Sequence, residues 1–213
     1  MSYLGRHVEH DEASKAYPAD ATQPIASVKW LRRSPIFDQG AVGSCTGNAA
    51  AGWLATDGAH RLGRSDLNED VALKIYAKAT HLDRVKGVYP PDDTGSSGLA
   101  AAKAMLRLGL TTGVYRHCFS LSHALSALQT GPVLVGMAWL TGCDSPSKEG
   151  IVSYTGTVRG GHEILADQVD VSRELVWFQN SWGSSWSLHG RFAMSFTDFG
   201  RVLKARGDVT VPS

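Results

Sequence analysis

The most informative segment of the chain reads DQGAVGSCTGNA and covers residues 38–49. A loop of small residues leads into Cys45, and apolar positions at helical spacing after it predict a helix that begins at this cysteine. The free amide N–H groups and positive end of a helix favour thiolate over thiol, which predicts a lowered pKa for Cys45. Gly43 and Ser44 are small enough to let another peptide backbone approach the sulfur. The side-chain amide of Gln39 can donate a hydrogen bond to a developing oxyanion.

Two further segments decide whether Cys45 is more than a small buried side chain. His162 lies in GGHEIL, residues 160–165, and Asn180 lies in QNSWG, residues 179–183, each beside a predicted strand. A cysteine nucleophile needs an imidazole to take its proton, and the imidazole needs an orienting group. If the two strands are neighbours, we expect Asn180 to accept a hydrogen bond from Nδ1–H of His162, with Trp182 shielding that bond. Taken singly, each residue is better explained as a core histidine, a turn asparagine or a packed aromatic ring.

Composition argues against several classes of partner. The 213 residues are enough for one domain of moderate size, or for two halves that share an interface. With 21 basic and 20 acidic residues the formal net charge is +1, which favours neither nucleic acid nor a membrane as the main partner. The sequence has no recognisable signal peptide. We therefore expect a protein that is cytoplasmic as synthesised, and packaging into a virion or release by lysis stays open.

The three cysteines do not form the pattern of a disulfide framework. Cys118 and Cys143 could pair, but buried free thiols are the preferred interpretation in a chain without an export signal. Neither CxxC nor HExxH spacing occurs, and His7 with His10 is an isolated pair on a polar segment. We expect no metal and no cofactor.

The chain is expected to divide into an extended N-terminal arm, residues 1–26, and one domain, residues 27–213. Helical periodicity dominates its first half, about 40–130. One helix is expected to be capped by Ser65 or Asp66, and another to start near Ser96 or Ser97 and end at Gly109. Three residues of the latter are expected to face inward: Leu99, Ala102 and Leu106.

The second half of the domain, about 131–213, shows short apolar runs typical of strands. These candidate strands cover residues 132–139, 151–154, 163–167, 174–178 and 191–196. Helices followed by strands predict an α+β fold with an antiparallel sheet, and a cleft between the two halves is a natural place for a site.

Three segments, taken in order, resemble the signature blocks of papain-like cysteine peptidases: the glutamine with Gly-Ser-Cys, then Gly-His followed by apolar residues, then Asn-Ser-Trp-Gly. The resemblance extends over roughly residues 28–196. It implies a papain-like fold, hydrolysis of a peptide or protein substrate, and the following roles. Cys45 would be the nucleophile, His162 its acid and base, and Asn180 the orienting group. Gln39 and the Cys45 backbone N–H would form the oxyanion hole. Substrate-contacting positions would be Gly43, Ser44, Gly95, Ser96, Gly161 and Trp182.

Some positions depart from the family pattern. Thr46 follows the nucleophile where many members have tryptophan, and Glu163 follows the histidine where a small apolar residue is commoner. Strand alternation is expected to turn the Glu163 side chain away from the imidazole. Any self-inhibition would have to come from the short arm.

Three other functions stay open from the sequence. The chain could be a silent or self-blocked relative, or an amide or isopeptide acyl transferase that uses the same residues. A non-enzymatic binding module is also compatible with the fold. Neither the oligomeric state nor the substrate preference can be read from the sequence.

Overall fold

A computed structural model describes residues 4–59 and 66–213. Three helices form the first layer: α1 (Cys45–Leu54), α2 (Glu69–Thr80) and α3 (Gly98–Arg107). Helix α1 is buried along its whole length and packs against both other helices. Its residues are small except for Trp53 and Leu54, which lets neighbouring backbones approach closely.

The second layer is an antiparallel sheet in the order β2-β7-β3-β4-β5-β6, with a short β1 paired to β4. The strand bounds are β1 (Val28–Lys29), β2 (Arg116–Cys118), β3 (Val133–Leu140), β4 (Val158–Asp170), β5 (Leu175–Gln179), β6 (Arg191–Ser195) and β7 (Asp208–Val211). Helices α4 (Leu121–Ala127) and α5 (Phe196–Lys204) pack on this layer. The expected α+β fold with an antiparallel sheet is therefore confirmed.

Two hydrophobic clusters meet at the sheet. One joins α1, α2 and α3 to Leu134 and Leu165, which project from β3 and β4. The other lies around Trp139, Phe178 and Phe192 and includes residues of α4 and α5. Helix α1 packs directly on β4. This contact brings the start of α1 beside residues 162–163 of the strand.

The helix predictions need two corrections. Helix α2 is capped by Asn68, whose side chain accepts a hydrogen bond from the Val71 amide at 3.2 Å. Asp66 lies before the helix, and Ser65 falls outside the described residues. In α3, Leu106 is exposed and Met105 takes the buried position, because the buried stripe is shifted by one residue. Ser97 caps α3, and Gly109 has the expected positive φ of 68°.

The strand predictions also need corrections. Residues 151–154 form no strand, since only Ile151 makes a single bridge, to Ala193. Strand β6 ends at Ser195, whose hydroxyl caps α5, so the expected strand residue Phe196 begins a helix. Four of the labelled elements were not predicted: β1, β2, β7 and α5.

Among the described residues, no helix has the length and apolar character needed to cross a bilayer.

Candidate active site

Cys45 is the first residue of α1 and is fully buried. The amide N–H groups of Glu163, Gly5 and Thr46 face its sulfur closely enough to favour the thiolate. The first of these belongs to the residue directly after His162. The fold therefore brings a sulfur from the helical layer against the strand that carries the imidazole.

His162 is oriented as proposed, but through the other ring nitrogen. Its Nε2 lies 2.7 Å from Oδ1 of Asn180, and the same oxygen accepts a bond from the Ser181 amide at 2.8 Å. The expectation that Nδ1 makes this contact is wrong, because the sequence could place the two strands side by side but could not fix the rotation of the ring. Nδ1 has no hydrogen-bond partner among the described residues. With Nε2–H donating to Asn180, the neutral ring carries its free lone pair on Nδ1.

Strand pairing explains how these residues meet. Strands β4 and β5 are antiparallel neighbours with Leu165 opposite Gln179, and Asn180 follows at the end of β5. A side chain at the end of β5 therefore comes within reach of His162, three residues before Leu165 on β4.

Two indole rings enclose the imidazole. Trp182 stacks on His162 with ring centroids 5.0 Å apart and planes 27° apart. Trp139 meets the imidazole edge-on at 5.1 Å, and its Nε1 donates to Asp144 at 2.8 Å. Trp139 was not predicted as a site residue. Strand pairing could have identified Trp139, because it lies two residues after Met137, which pairs with His162 across β3 and β4.

Gln39 is held by the segment that carries Asn180. Its amide N–H donates to the Ser181 carbonyl at 2.8 Å, and its Oε1 accepts from the Ser181 hydroxyl at 2.6 Å. Its Nε2 donates to Val42 O at 2.8 Å. A primary amide has two N–H donors, so a second one is left over from this contact.

A network that sequence reasoning missed joins the loop before Cys45 to the opposite wall. Asp93 accepts from the Gly43 amide, at 2.8 Å to Oδ2, and from the Tyr76 hydroxyl at 2.6 Å. That hydroxyl accepts from the Gly95 amide at 2.9 Å. The hydroxyl of Ser44 is engaged with the Asn48 amide inside α1 at 3.0 Å. No motif marks Asp93 or Tyr76, because their role depends on a contact between distant loops.

The N-terminal arm occupies the cleft. Arg6 N donates to Gly161 O at 2.9 Å, Ser96 N donates to Gly5 O at 2.8 Å, and His7 N donates to Ser96 O at 2.7 Å. The arm thus runs parallel to the segment around Ser96. A Cβ at Gly5 would collide with the Gly43 carbonyl oxygen, so only glycine fits there. Gly95, Ser96 and Gly161, expected to contact substrate, are occupied by the chain itself.

Coverage by the arm reverses the expected ionisation of Cys45. Burial raises the pKa of Cys45 to about 12, although the Glu163 amide opposes this rise. Burial also lowers the pKa of His162 to about 4, against the hydrogen bond that its Nε2–H donates to Asn180, which raises it. The lowered thiol pKa expected from the helix terminus is therefore wrong for the covered site, because desolvation outweighs the favourable amides. Near neutral pH both groups are uncharged.

The remaining predictions concern cysteines and metals. Cys118 and Cys143 are buried and free, in agreement with the preferred interpretation. Within residues 4–59 and 66–213 no three histidine, cysteine or acidic side chains come together as a metal site.

Neither a family model nor a curated protein matches the sequence. Solved structures match its fold. Xylellain, a cysteine protease from Xylella fastidiosa, superimposes with a TM-score of 0.77 at 16% identity, over 100% of this chain and 97% of its own. Procathepsin L 3 from Tenebrio molitor larval midgut gives a TM-score of 0.65 at 16% identity, over 99% of this chain and 75% of its own.

Bromelain from Ananas comosus, solved in complex with the E64 inhibitor, gives a TM-score of 0.56 at 14% identity, over 87% of this chain and 98% of its own. The chain therefore has the papain-like cysteine peptidase fold.

Proposed function

We propose that the chain is a cysteine peptidase whose site is covered by its own N-terminal arm. The observation that carries this proposal is the bond from His162 Nε2 to Asn180 Oδ1 beside a cysteine at a helix N-terminus. A core histidine satisfied by chance does not require a buried thiol against the amide of the residue that follows it, or a free second nitrogen. Peptides and proteins are the proposed substrates.

The proposed mechanism uses only residues of this chain. Nδ1 of His162 takes the Sγ proton of Cys45, and the thiolate attacks a peptide carbonyl carbon. The oxyanion that forms accepts hydrogen bonds from the Cys45 amide and from Nε2–H of Gln39. His162 returns the proton to the leaving amine as the C–N bond breaks. Water, activated by the same nitrogen, hydrolyses the thioester and regenerates the thiol.

Asn180 and the indole of Trp182 are proposed to hold the ring through these steps. The bond from Nε2 fixes the tautomer in which Nδ1 is the base. The stacked indole keeps water from competing for that bond. Both are proposed as positioning residues.

The geometry of the arm supports a state in which the arm blocks the catalytic site without being cleaved. The group of the arm that faces the sulfur is the Gly5 amide N–H, whereas attack requires a carbonyl carbon. The Gly5 carbonyl is engaged by Ser96 N. The arm can therefore occupy the cleft without being cut, and a substrate must displace it.

Active-site titration tests the proposal. An epoxide inhibitor that alkylates thiols is expected to label Cys45, which becomes accessible when the arm is displaced, but not Cys118 or Cys143. Cys45→Ala is expected to abolish labelling and peptide hydrolysis together. Cys118→Ala serves as the matched control and is expected to retain both. Hydrolysis that persists without Cys45 would refute the proposal. Product analysis with an added amine separates hydrolysis from acyl transfer.

A further inference from the structure

A pocket with two carboxylates lies beside the cleft, at the centre of three adjacent strands. Gly136 of β3 pairs with Glu163 of β4 on one side and with Asp208 of β7 on the other. Directly paired residues project on the same face of a sheet. Since the central residue has no side chain, a hollow is left there, and the two acidic side chains form its walls.

The side chain of Arg6 fills this pocket. It is 1% exposed, and its Nη2 makes an ion pair with Oδ1 of Asp208 and donates to the Arg206 carbonyl at 3.3 Å. A Cβ at Gly136 would collide with the guanidinium and with Asp208. The absence of a side chain at Gly136 is what admits a planar cation between the carboxylates.

The fit to Arg6 leaves donor and acceptor capacity unused. Nε of Arg6 lies 3.9 Å from Oε2 of Glu163, beyond hydrogen-bond distance, and neither atom has a hydrogen-bond partner among the described residues. Glu163 is fully buried. Burial raises its pKa, as does the nearby Asp208, whereas Arg6 opposes the rise. A guanidinium presented from a different backbone could therefore bind Glu163 better than Arg6 does.

The pocket adjoins the groups that would hold a substrate backbone. Arg6 bonds Gly161 O, and the residues on either side of it bond Ser96, while the preceding amide faces the sulfur of Cys45. Successive residues of an extended peptide are about 3.3 Å apart. An extended peptide on these same groups would place a side chain in the pocket within about two residues of the reacting carbonyl.

We infer that Gly136, Glu163 and Asp208 form a specificity pocket for a basic side chain, arginine above all, and that Arg6 occupies it as a stand-in for a substrate residue. This inference rests on the proposed function and names its substrate class: peptides with arginine close to the cleaved bond. The two acidic side chains of the pocket also disfavour acidic substrate side chains through like-charge repulsion.

The test uses the full chain with Gly5→Ala and Arg6→Ala, which prevents the arm from seating and removes its guanidinium. Dipeptidyl coumarin amides carry arginine or citrulline, its uncharged isostere, at each of the two positions before the scissile bond. At one position we expect kcat/KM to favour arginine by about tenfold to a hundredfold, the range for a charge-assisted hydrogen bond. Glu163→Gln and Asp208→Asn, each added separately, are expected to reduce this ratio toward one. Glu149→Gln, at an exposed position, is the matched control and is expected to preserve it.

A binding measurement separates the inference from the proposed function. Cys45→Ala is added to the same full-length background, and fluorescence anisotropy compares labelled arginine and citrulline peptides. Tighter binding of the arginine peptide, without hydrolysis by the Gly5→Ala/Arg6→Ala chain that retains Cys45, would support the pocket inference and refute the proposed peptidase activity. Hydrolysis of both peptides at equal rates would overturn the pocket inference alone. If neither peptide binds nor is cleaved, both proposals fail.

Discussion

Displacing the arm should expose the cysteine, and Gly5→Ala is the smallest change that does so. The added Cβ would collide with the Gly43 carbonyl oxygen, so the arm must leave its position. Three backbone hydrogen bonds join residues 5–7 to Gly161 and Ser96. At about 1 kcal/mol each, their loss amounts to about 3 kcal/mol, or about a hundredfold change in the ratio of covered to open chains.

Alkylation kinetics measure this change directly. If opening is fast relative to alkylation, the labelling rate of Cys45 follows the open fraction. The rate is therefore expected to rise by up to about a hundredfold in Gly5→Ala. Gly200→Ala is the matched control, because a Cβ there would meet only Leu121 Cδ2 at an ordinary 3.7 Å. Equal rates for wild type and Gly5→Ala would refute the claim that the arm covers the sulfur.

Three further predictions follow from the same contacts. In the Gly5→Ala background, Asn180→Ala removes the 2.7 Å bond to Nε2 and is expected to lower kcat/KM by about tenfold to a hundredfold. Because that bond raises the pKa of His162, the acidic limb of the pH profile should also move to lower pH, and an unchanged limb would argue against a positioning role. Burial raises the pKa of Cys45 to about 12 in the covered site, above its value in an open site. Covered chains should therefore lose stability once pH exceeds the pKa of the open-site thiol, by about tenfold per pH unit in the covered-to-open ratio. Proteolysis of the arm should therefore accelerate with rising pH in wild type but not in Cys45→Ala. Equal acceleration in both chains would contradict the role of the Cys45 thiol in this pH dependence. Asn68→Ala, which removes the cap of α2, is expected to cost about 1 kcal/mol of unfolding free energy and to leave kcat/KM unchanged, as thermal denaturation and peptide assays would check.

Local signals in the sequence predicted much of the fold. The apolar stripe after Cys45, the cap at Ser97 and the run before Trp139 each specify an element through nearby residues, and each element forms. Helix α5 was missed because its N-cap, Ser195, falls inside the segment 191–196 that the sequence predicts as a strand. Strand β7, only four residues long, was also missed.

For the site, as for the fold, local motifs in the sequence identified candidate residues, whereas features that depend on distant segments were missed. Cys45, His162 and Asn180 were proposed from their local motifs. The structure places His162 Nε2 2.7 Å from Asn180 Oδ1, and the Glu163 amide faces the sulfur of Cys45. Their catalytic roles remain predictions. The ring rotation of His162, the Asp93 network and the pKa of Cys45 depend on contacts between distant segments. Of these three features, the pKa of Cys45 depends most on the arm, because the arm desolvates the sulfur that the helix terminus would otherwise favour as a thiolate.

The proposed mechanism depends most directly on the pairing of Cys45 with His162 in an uncovered cleft. The decisive measurement is peptide hydrolysis across pH by full-length Gly5→Ala beside Gly5→Ala/Cys45→Ala. We expect a bell-shaped profile in the first chain and no turnover in the second. Equal turnover in both chains, or none in the first despite rapid alkylation of Cys45, would contradict it.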